Sequence, residues 1–249
     1  MNKTTLPSVN NQLYDQLGHR WYTADDDPVA LLRAEAKIKN PWVHEQIKKY
    51  LTVPVPKVLD VGCGGGFLSN YLAQKNCAVT GVDLSAASLH VAGHYDATGR
   101  VDYQQADALA LPFPNGTFDA VTAMDFLEHI DRPEAVIAEI GRVLKPGGVF
   151  IFHTFNRNWL ANLVVIKFVE WFVPNTPKDM HVYHLFLRPS EVEQFCKNAG
   201  LQVKEWNGIR PILWRWKNLM GLWKQAVPQD SQFCFTKSKA VSYLGVAIK

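Results

Sequence analysis

The chain is 249 residues long, 47% hydrophobic and 20% charged, with 26 Lys and Arg against 23 Asp and Glu for a net charge of +3. That length suffices to bury about 70% of the extended chain's surface, so a core forms without disulfides or metal, and the composition excludes extensive disorder. The charge balance is too even to point to nucleic acid, and Cys63, Cys77, Cys196 and Cys234 have the spacing of neither a zinc module nor a secreted disulfide scaffold.

The opening stretch MNKTTLPSVNNQLYD is polar and lacks an apolar signal core, so a cytoplasmic chain is expected. Residues 10–51 read as helical in patches, interrupted by Asp25-Asp26-Asp27-Pro28 and broken or kinked at Pro41. VPVP at 53–56 ends this helical cap.

From there strands and helices alternate. Strands are expected at Val58–Val61, Cys77–Val82, Val101–Gln105, Phe118–Ala123 and over VFIFHTF, with helices over FLSNYLAQK, LSAASLHVAGHY and PEAVIAEIGRVL between them. Continuous apolar strands alternating with helices mean a mostly parallel sheet covered on both faces. LQVKEWNG and VSYLGVAIK add strands at the edge of the same sheet. The expectation is a single α/β domain over 1–249: helical cap 1–52, ligand-binding core 53–155, inserted lid 156–190 and sheet edge 191–249.

The most specific stretch is VLDVGCGGGFLSNYLAQ, in which Gly62, Gly64, Gly65 and Gly66 follow a strand and open a helix. Glycines there permit positive φ and let backbone N–H groups approach a ligand without a Cβ in the way. The spacing is not the usual dinucleotide fingerprint. Asp60, just before the loop, would repel a pyrophosphate but could hold an ammonium, which favours a nucleoside ligand with an amino-acid tail. Asp83 ends the second strand, where a carboxylate can accept both ribose hydroxyls; the alternative is a helix N-cap. Asp107, after the third strand, could reach an adenine amino group or serve only its own loop. Asp119 is assigned no ligand.

After the fourth strand come Asp125, Glu128 and His129. On a helical turn they would share one face, and two carboxylates with an imidazole suit a hard cation such as Mg²⁺. His129 could instead be the proton acceptor, the catalytic base. The competing reading is a helix start forming part of the cofactor wall.

The glycine loop, the strand-end Asp83, the ADALALPF segment and the LKPGG turn together resemble the class I S-adenosylmethionine-dependent methyltransferases, over roughly residues 50–155. The resemblance implies S-adenosyl-L-methionine as cofactor and a Rossmann-like seven-stranded, mostly parallel sheet with its last strand antiparallel. It narrows at AMDFLEHI, LKPGG, HTFNRN and MHVYHLFLRPSEVEQF, which look like the ubiquinone-biosynthesis O-methyltransferases. That family carries E-x-x-E-H, implied to bind Mg²⁺, at the positions of Asp125, Glu128 and His129, with a cofactor contact at Met124. Asp125 departs from the pattern, shortening the carboxylate's reach by one methylene. The family's basic cofactor contact falls near Arg33, Lys37 and Lys39, and none of the three is singled out. Its T-H-x-x-K-x-F segment places its His at His181 and its Phe at Phe186, with His184 replacing the Lys.

In the resembling family the insertion closes the acceptor site and is associated with membrane contact. Here Trp159, Leu163, Ile166, Phe168 and Phe172 form a broad apolar face against Lys167 and Glu170, which fits either a lid packed on the domain or a membrane-surface helix. No run reaches the roughly 20 apolar residues a bilayer span requires. The expected reaction is O-methylation of a prenylated catechol or quinol ring. A metal-independent transfer to another lipid or small hydrophobic acceptor is the alternative. Expected partners are the hydrophobic substrate and a membrane surface or biosynthetic complex, without nucleic acid. None of the eight tryptophans lies between residues 50 and 155, and Trp206, Trp214, Trp216 and Trp223 crowd one late segment, the part of the chain left to shape an acceptor pocket.

Overall fold

Strands that are apolar at nearly every position have to be covered on both faces, and the computed structural model shows how. It describes residues 13–168, 170, 173, 175–177, 180–212 and 233–249. Strands β1 (Lys57–Val61), β2 (Ala78–Asp83), β3 (Asp102–Gln105), β4 (Phe118–Met124), β5 (Leu144–Phe155), β6 (Gln202–Pro211), β7 (Phe233–Thr236) and β8 (Ser242–Ile248) form one sheet in the order β3-β2-β1-β4-β5-β8-β6-β7. The first five run parallel. β8 lies antiparallel between β5 and β6. The expected antiparallel last strand is therefore present. The sheet has eight described strands rather than seven because Phe233–Thr236 adds an outer hairpin partner to β6.

Neighbouring residues on each strand feed opposite layers. Leu59, Val121, Phe150 and Phe152 pack towards α6 (Pro133–Val143) and the helix Pro189–Asn198, meeting Ile137, Ile140 and Val192. Val58, Ala120, Val149 and Ile151 pack towards α3 (Pro28–Tyr50) and α4 (Phe67–Gln74), meeting Val43, Ile47 and Leu72. Period-two alternation on strands buried on both faces leaves no polar side, as the sequence pattern requires.

The helical cap starts with α1 (Leu13–Gln16) and α2 (Arg20–Thr23). Asp27 caps α3, its carboxylate accepting from the Val29 amide at 3.1 Å. α3 is not broken at Pro41 but runs through it. Val43 and Ile47 are buried against the sheet beyond the proline, and tertiary packing on that turn outweighs the lost backbone hydrogen bond.

α5 (Ala86–His94) covers β2 and β3. The inserted segment begins with α7 (Trp159–Ala161), which widens into π-helical turns over Asn162–Phe168; the helix Pro189–Asn198 is α8. The expected single apolar face is divided. Val165 and Ile166 turn inward with Ala161 and Phe186, whereas Trp159 is 75% and Leu163 44% exposed. Phe172 and the Phe168 side chain lie outside the described residues, as do Trp214, Trp216 and Trp223. Trp206 packs edge-on against Phe152 and Tyr243, so it belongs to the core. Among the described residues no helix is long and apolar enough to cross a membrane.

Candidate active site

The chain runs β1, β2, β3 outward and then returns to β4 beside β1. At such a reversal the loops leaving the strand ends part and open a crevice. Here those are the glycine loop after β1 and residues 125–129 after β4.

The glycine loop is tied to β2: the Gly62 and Cys63 amides donate to the Val82 carbonyl at 2.8 and 3.1 Å. Gly62 and Gly64 have φ of 69° and 50°, a left-handed conformation that glycine adopts without a Cβ penalty. Both line a cavity of about 300 Å³ together with Asp60, Asp83, Asp107 and Met124. Gly66 stands behind this cradle, where an added Cβ would lie 2.4 Å from the Tyr103 hydroxyl and 2.7 Å from the Ala92 Cβ.

Asp83 accepts the Gly64 amide on one oxygen and the Ser85 amide on the other, both at 2.9 Å. The helix-capping role falls to Ser85, whose hydroxyl accepts the Ser88 amide at 3.1 Å. Asp60 is buried and accepts hydroxyl hydrogen bonds from Ser69 at 2.6 Å and Thr122 at 2.7 Å. Burial pushes its carboxyl up to about 6 against those hydrogen bonds, so a cationic ligand group nearby would favour the ionised form. Asp107 is exposed and accepts the Leu109 amide at 2.8 Å. Asp119 braces the sheet base instead, accepting from the Lys57 amide and the Lys145 ammonium.

The N-terminal cap roofs the cavity. The Trp21 indole lies against Gly64 and Gly65, its Nε1 donating to Ser88 at 3.3 Å, and Tyr14 stacks on Trp21 with centroids 5.8 Å apart. Arg33 holds this cap to α3 by donating to the Trp21 carbonyl at 2.9 Å. Lys37 lines a separate outer cavity with Arg33. Of the three basic candidates only Lys39 lines the inner cavity.

At the far end of the cavity lie Lys39, Asp125 and His129. The helical turn expected over 125–129 is shorter: Leu127–His129 form a 3₁₀ turn, preceded by Asp125 at a left-handed φ of 53°. Asp125 reaches His153 Nδ1 with one oxygen and the Lys39 ammonium with the other. Glu128 is buried, accepts the Thr154 hydroxyl at 2.8 Å, and leaves Oε1 without a partner. Burial, reinforced by the Asp125 charge, pushes its carboxyl up to about 8. The Nδ1 of His129 is likewise buried and unpartnered. Burial pushes His129 down to about 4 and His181, which packs 5.5 Å from it between ring centroids, down to about 3.

Among the described residues, the potential metal ligands whose atoms lie within 4.8 Å of one another are Glu35, Asp125 and His153. Asp125, Glu128 and His129 are not brought together as such a group. As they stand they do not fit a bound divalent ion. Both Asp125 oxygens are engaged, and one of them already faces an ammonium. Glu35 and His153 are not among the residues the sequence singles out; the available signal is a histidine in the mostly apolar strand VFIFHTF.

The cradle does suit a nucleoside with a cationic amino-acid tail. Backbone amides and an acid at the second strand's end can face the ribose, and Asp60 can face a positive group. A sheet of this order, with the last strand of the chain inserted antiparallel beside β5 and that cradle at its switch point, defines a class I S-adenosylmethionine-dependent methyltransferase.

The comparisons agree. A family model described as a methyltransferase domain matches residues 59–152. The ubiquinone biosynthesis O-methyltransferase of Azoarcus sp. (strain BH72) is 39% identical over 210 residues, covering 83% of this chain and 88% of that protein. The protein of the same description from Nitrosococcus oceani is 35% identical over 224 residues, covering 87% and 93%. The chain belongs to the family of the ubiquinone biosynthesis O-methyltransferases. Among solved structures, an SAM-dependent methyltransferase from Methanosarcina mazei shares the fold with a TM-score of 0.59 at 20% identity, covering 84% of this chain and 97% of that one. Magnesium protoporphyrin IX methyltransferase from Synechocystis PCC 6803 does so with 0.57 at 18%, covering 98% and 90%.

Proposed function

We propose that this enzyme transfers a methyl group to a ring hydroxyl of a prenylated catechol or demethylubiquinol-like acceptor in ubiquinone biosynthesis. The acceptor follows from the relatives' activity. The observation that carries the reaction is His129: an imidazole with a buried, unpartnered Nδ1, lining the same cavity as the glycine loop and Asp83.

When bound, S-adenosylmethionine supplies a methyl group made electrophilic by a sulfonium. Gly62 and Gly64 shape its cradle, with Gly66 packing behind them. Asp83 would hold the ribose hydroxyls, Asp107 the adenine edge and Asp60 the ammonium, with Met124 as part of the wall. The acceptor ring would sit against Tyr14 and His129, which line the cavity, with His181 packed behind His129. His129 takes the hydroxyl proton at Nδ1 while the ring oxygen bonds to the methyl carbon and the carbon–sulfur bond breaks, its electron pair staying on sulfur. His129 is held neutral across the neutral range, so its Nδ1 lone pair is available to accept a proton there. No covalent enzyme intermediate is needed.

The described part of the insertion brings His181 against His129 at the acceptor end of a single domain, and its exposed Trp159 and Leu163 support contact of a cytoplasmic enzyme with a membrane surface that supplies the prenylated substrate. The test is a lipid extract incubated with the purified chain and a radiolabelled methyl donor. Label in a polyprenyl ring lipid supports the reading; label confined to protein or nucleic acid overturns it.

A further inference from the structure

We infer that Lys39 is the resident cation at the acceptor end of the cavity, standing in the place of a divalent metal, so that methyl transfer by this chain needs none. The inference rests on the methyltransferase reading for its functional consequence, but the occupancy of the site stands on geometry alone.

Lys39 projects from α3 and is 3% exposed. Its ammonium pairs with the Asp125 carboxylate and, at 2.8 Å, with Glu35 one turn earlier. A buried lysine is retained as a cation only when carboxylates compensate it, and here two do. Asp125 is fixed from every side: Lys39 on one oxygen, His153 Nδ1 on the other, and its own amide donating to the His153 carbonyl at 3.2 Å. Glu35, Asp125 and His153 thus make a cluster of the size that holds a metal, and the charge at its centre is already part of the chain.

A divalent ion placed there would meet an ammonium in a buried setting, where like charges repel strongly. It would first have to displace Lys39. The shorter reach of Asp125 suits this pairing, since the long lysine side chain spans the distance that a glutamate would otherwise cover. Lys39 also lines the inner cavity with His129; Asp125 and Glu35 take two of its N–H groups, and a third can donate directly to a ring oxygen as the proton leaves. That is the service a metal would otherwise render.

The test is binding of Mn²⁺ to the full-length chain, followed by the loss of the free-ion electron paramagnetic resonance signal, with methyl transfer measured in parallel with and without chelator. The wild-type chain is expected to leave the free Mn²⁺ signal unchanged at millimolar metal and to keep its rate in chelator. Lys39→Met is expected to lower kcat/KM by about 10²-fold and to take up Mn²⁺. Lys39→Arg, which keeps the charge, is expected to exclude the metal. Stoichiometric Mn²⁺ binding by the wild type, abolished by Asp125→Asn, would overturn the inference, as would a rate lost in chelator and restored by Mg²⁺. Metal exclusion is read on the wild-type chain without any acceptor, so it is decided even if Lys39→Met fails to fold or the acceptor assignment fails.

Discussion

The Asp83 carboxylate accepts the Gly64 amide at 2.9 Å, joining the acid at the end of β2 to the turn after β1 before any ligand arrives. The glycine turn and the strand-end acid are thereby held in one geometry, which leaves less ordering to the moment a ligand binds. Asp83→Asn keeps the shape but weakens both this bond and any bond to ribose hydroxyls. The expected effect is a 10- to 100-fold weaker affinity for S-adenosylmethionine, about 1–3 kcal/mol, read by calorimetry, with the melting temperature little changed. Unaltered affinity would remove Asp83 from the site.

Substitution at Gly64 acts differently. An added Cβ would lie 2.9 Å from the Trp21 ring at a φ of 50°, so Gly64→Ala combines backbone strain with displacement of the roof. A loss of about 1–3 kcal/mol in stability is expected by chemical denaturation, together with weaker cofactor binding. A variant as stable as the parent would show that the loop relaxes without cost.

His129→Gln separates binding from chemistry. The amide preserves a polar tip but cannot act as a base at neutral pH, so kcat should fall by about 10²- to 10⁴-fold while cofactor affinity holds. A fall in affinity with kcat intact would instead make His129 a wall of the cofactor site.

Acid sensitivity follows from the same imidazoles. His129 and His181 have folded-state pKa values lowered from 6.5 to about 4 and about 3, so the unfolded chain binds protons more readily between those limits. Their contribution to stability is present above about pH 6.5 and is lost as pH falls towards the folded values. Glu128 and Asp60, whose folded-state values are raised to about 8 and about 6, act in the opposite sense over the same interval, so the imidazole contribution is read as a difference between parent and variant. His181→Phe should gain melting temperature relative to the parent on going from pH 7 to pH 5, and the ring fits because His181 already packs against Phe155 at 5.2 Å and Phe186 at 6.2 Å between centroids. A difference between the two that stays the same from pH 7 to pH 5 would take His181 out of the acid response.

The cofactor half of the fold was legible because its signals are local. VLDVGCGGG, VTGVDLS and FDAVTAM carry strand, turn and acid within a few residues of one another, and the strands' continuous apolar character shows that both faces are covered. The far end of the cavity was not legible in this way. Lys39 and Asp125 are 86 residues apart, and His153 lies another 28 beyond Asp125. Only the return of the chain to β4, and the passage of α3 unbroken through Pro41, brings them together. The local spacing of Asp125, Glu128 and His129 suggested a common helical face, but the left-handed turn at Asp125 sends its carboxylate towards α3 and β5. The tryptophan excess divides likewise: Trp21 roofs the glycine loop and Trp206 fills the core, roles set by long-range packing that composition does not encode.

The most direct test of the account is the fate of the methyl group. The purified chain would be given a donor labelled with ¹³C in the methyl group and a synthetic prenylated catechol, and the product examined by carbon nuclear magnetic resonance. The account predicts a single labelled aryl methoxyl carbon. Label on a ring carbon, or none on the catechol while cofactor binding is intact, would contradict it.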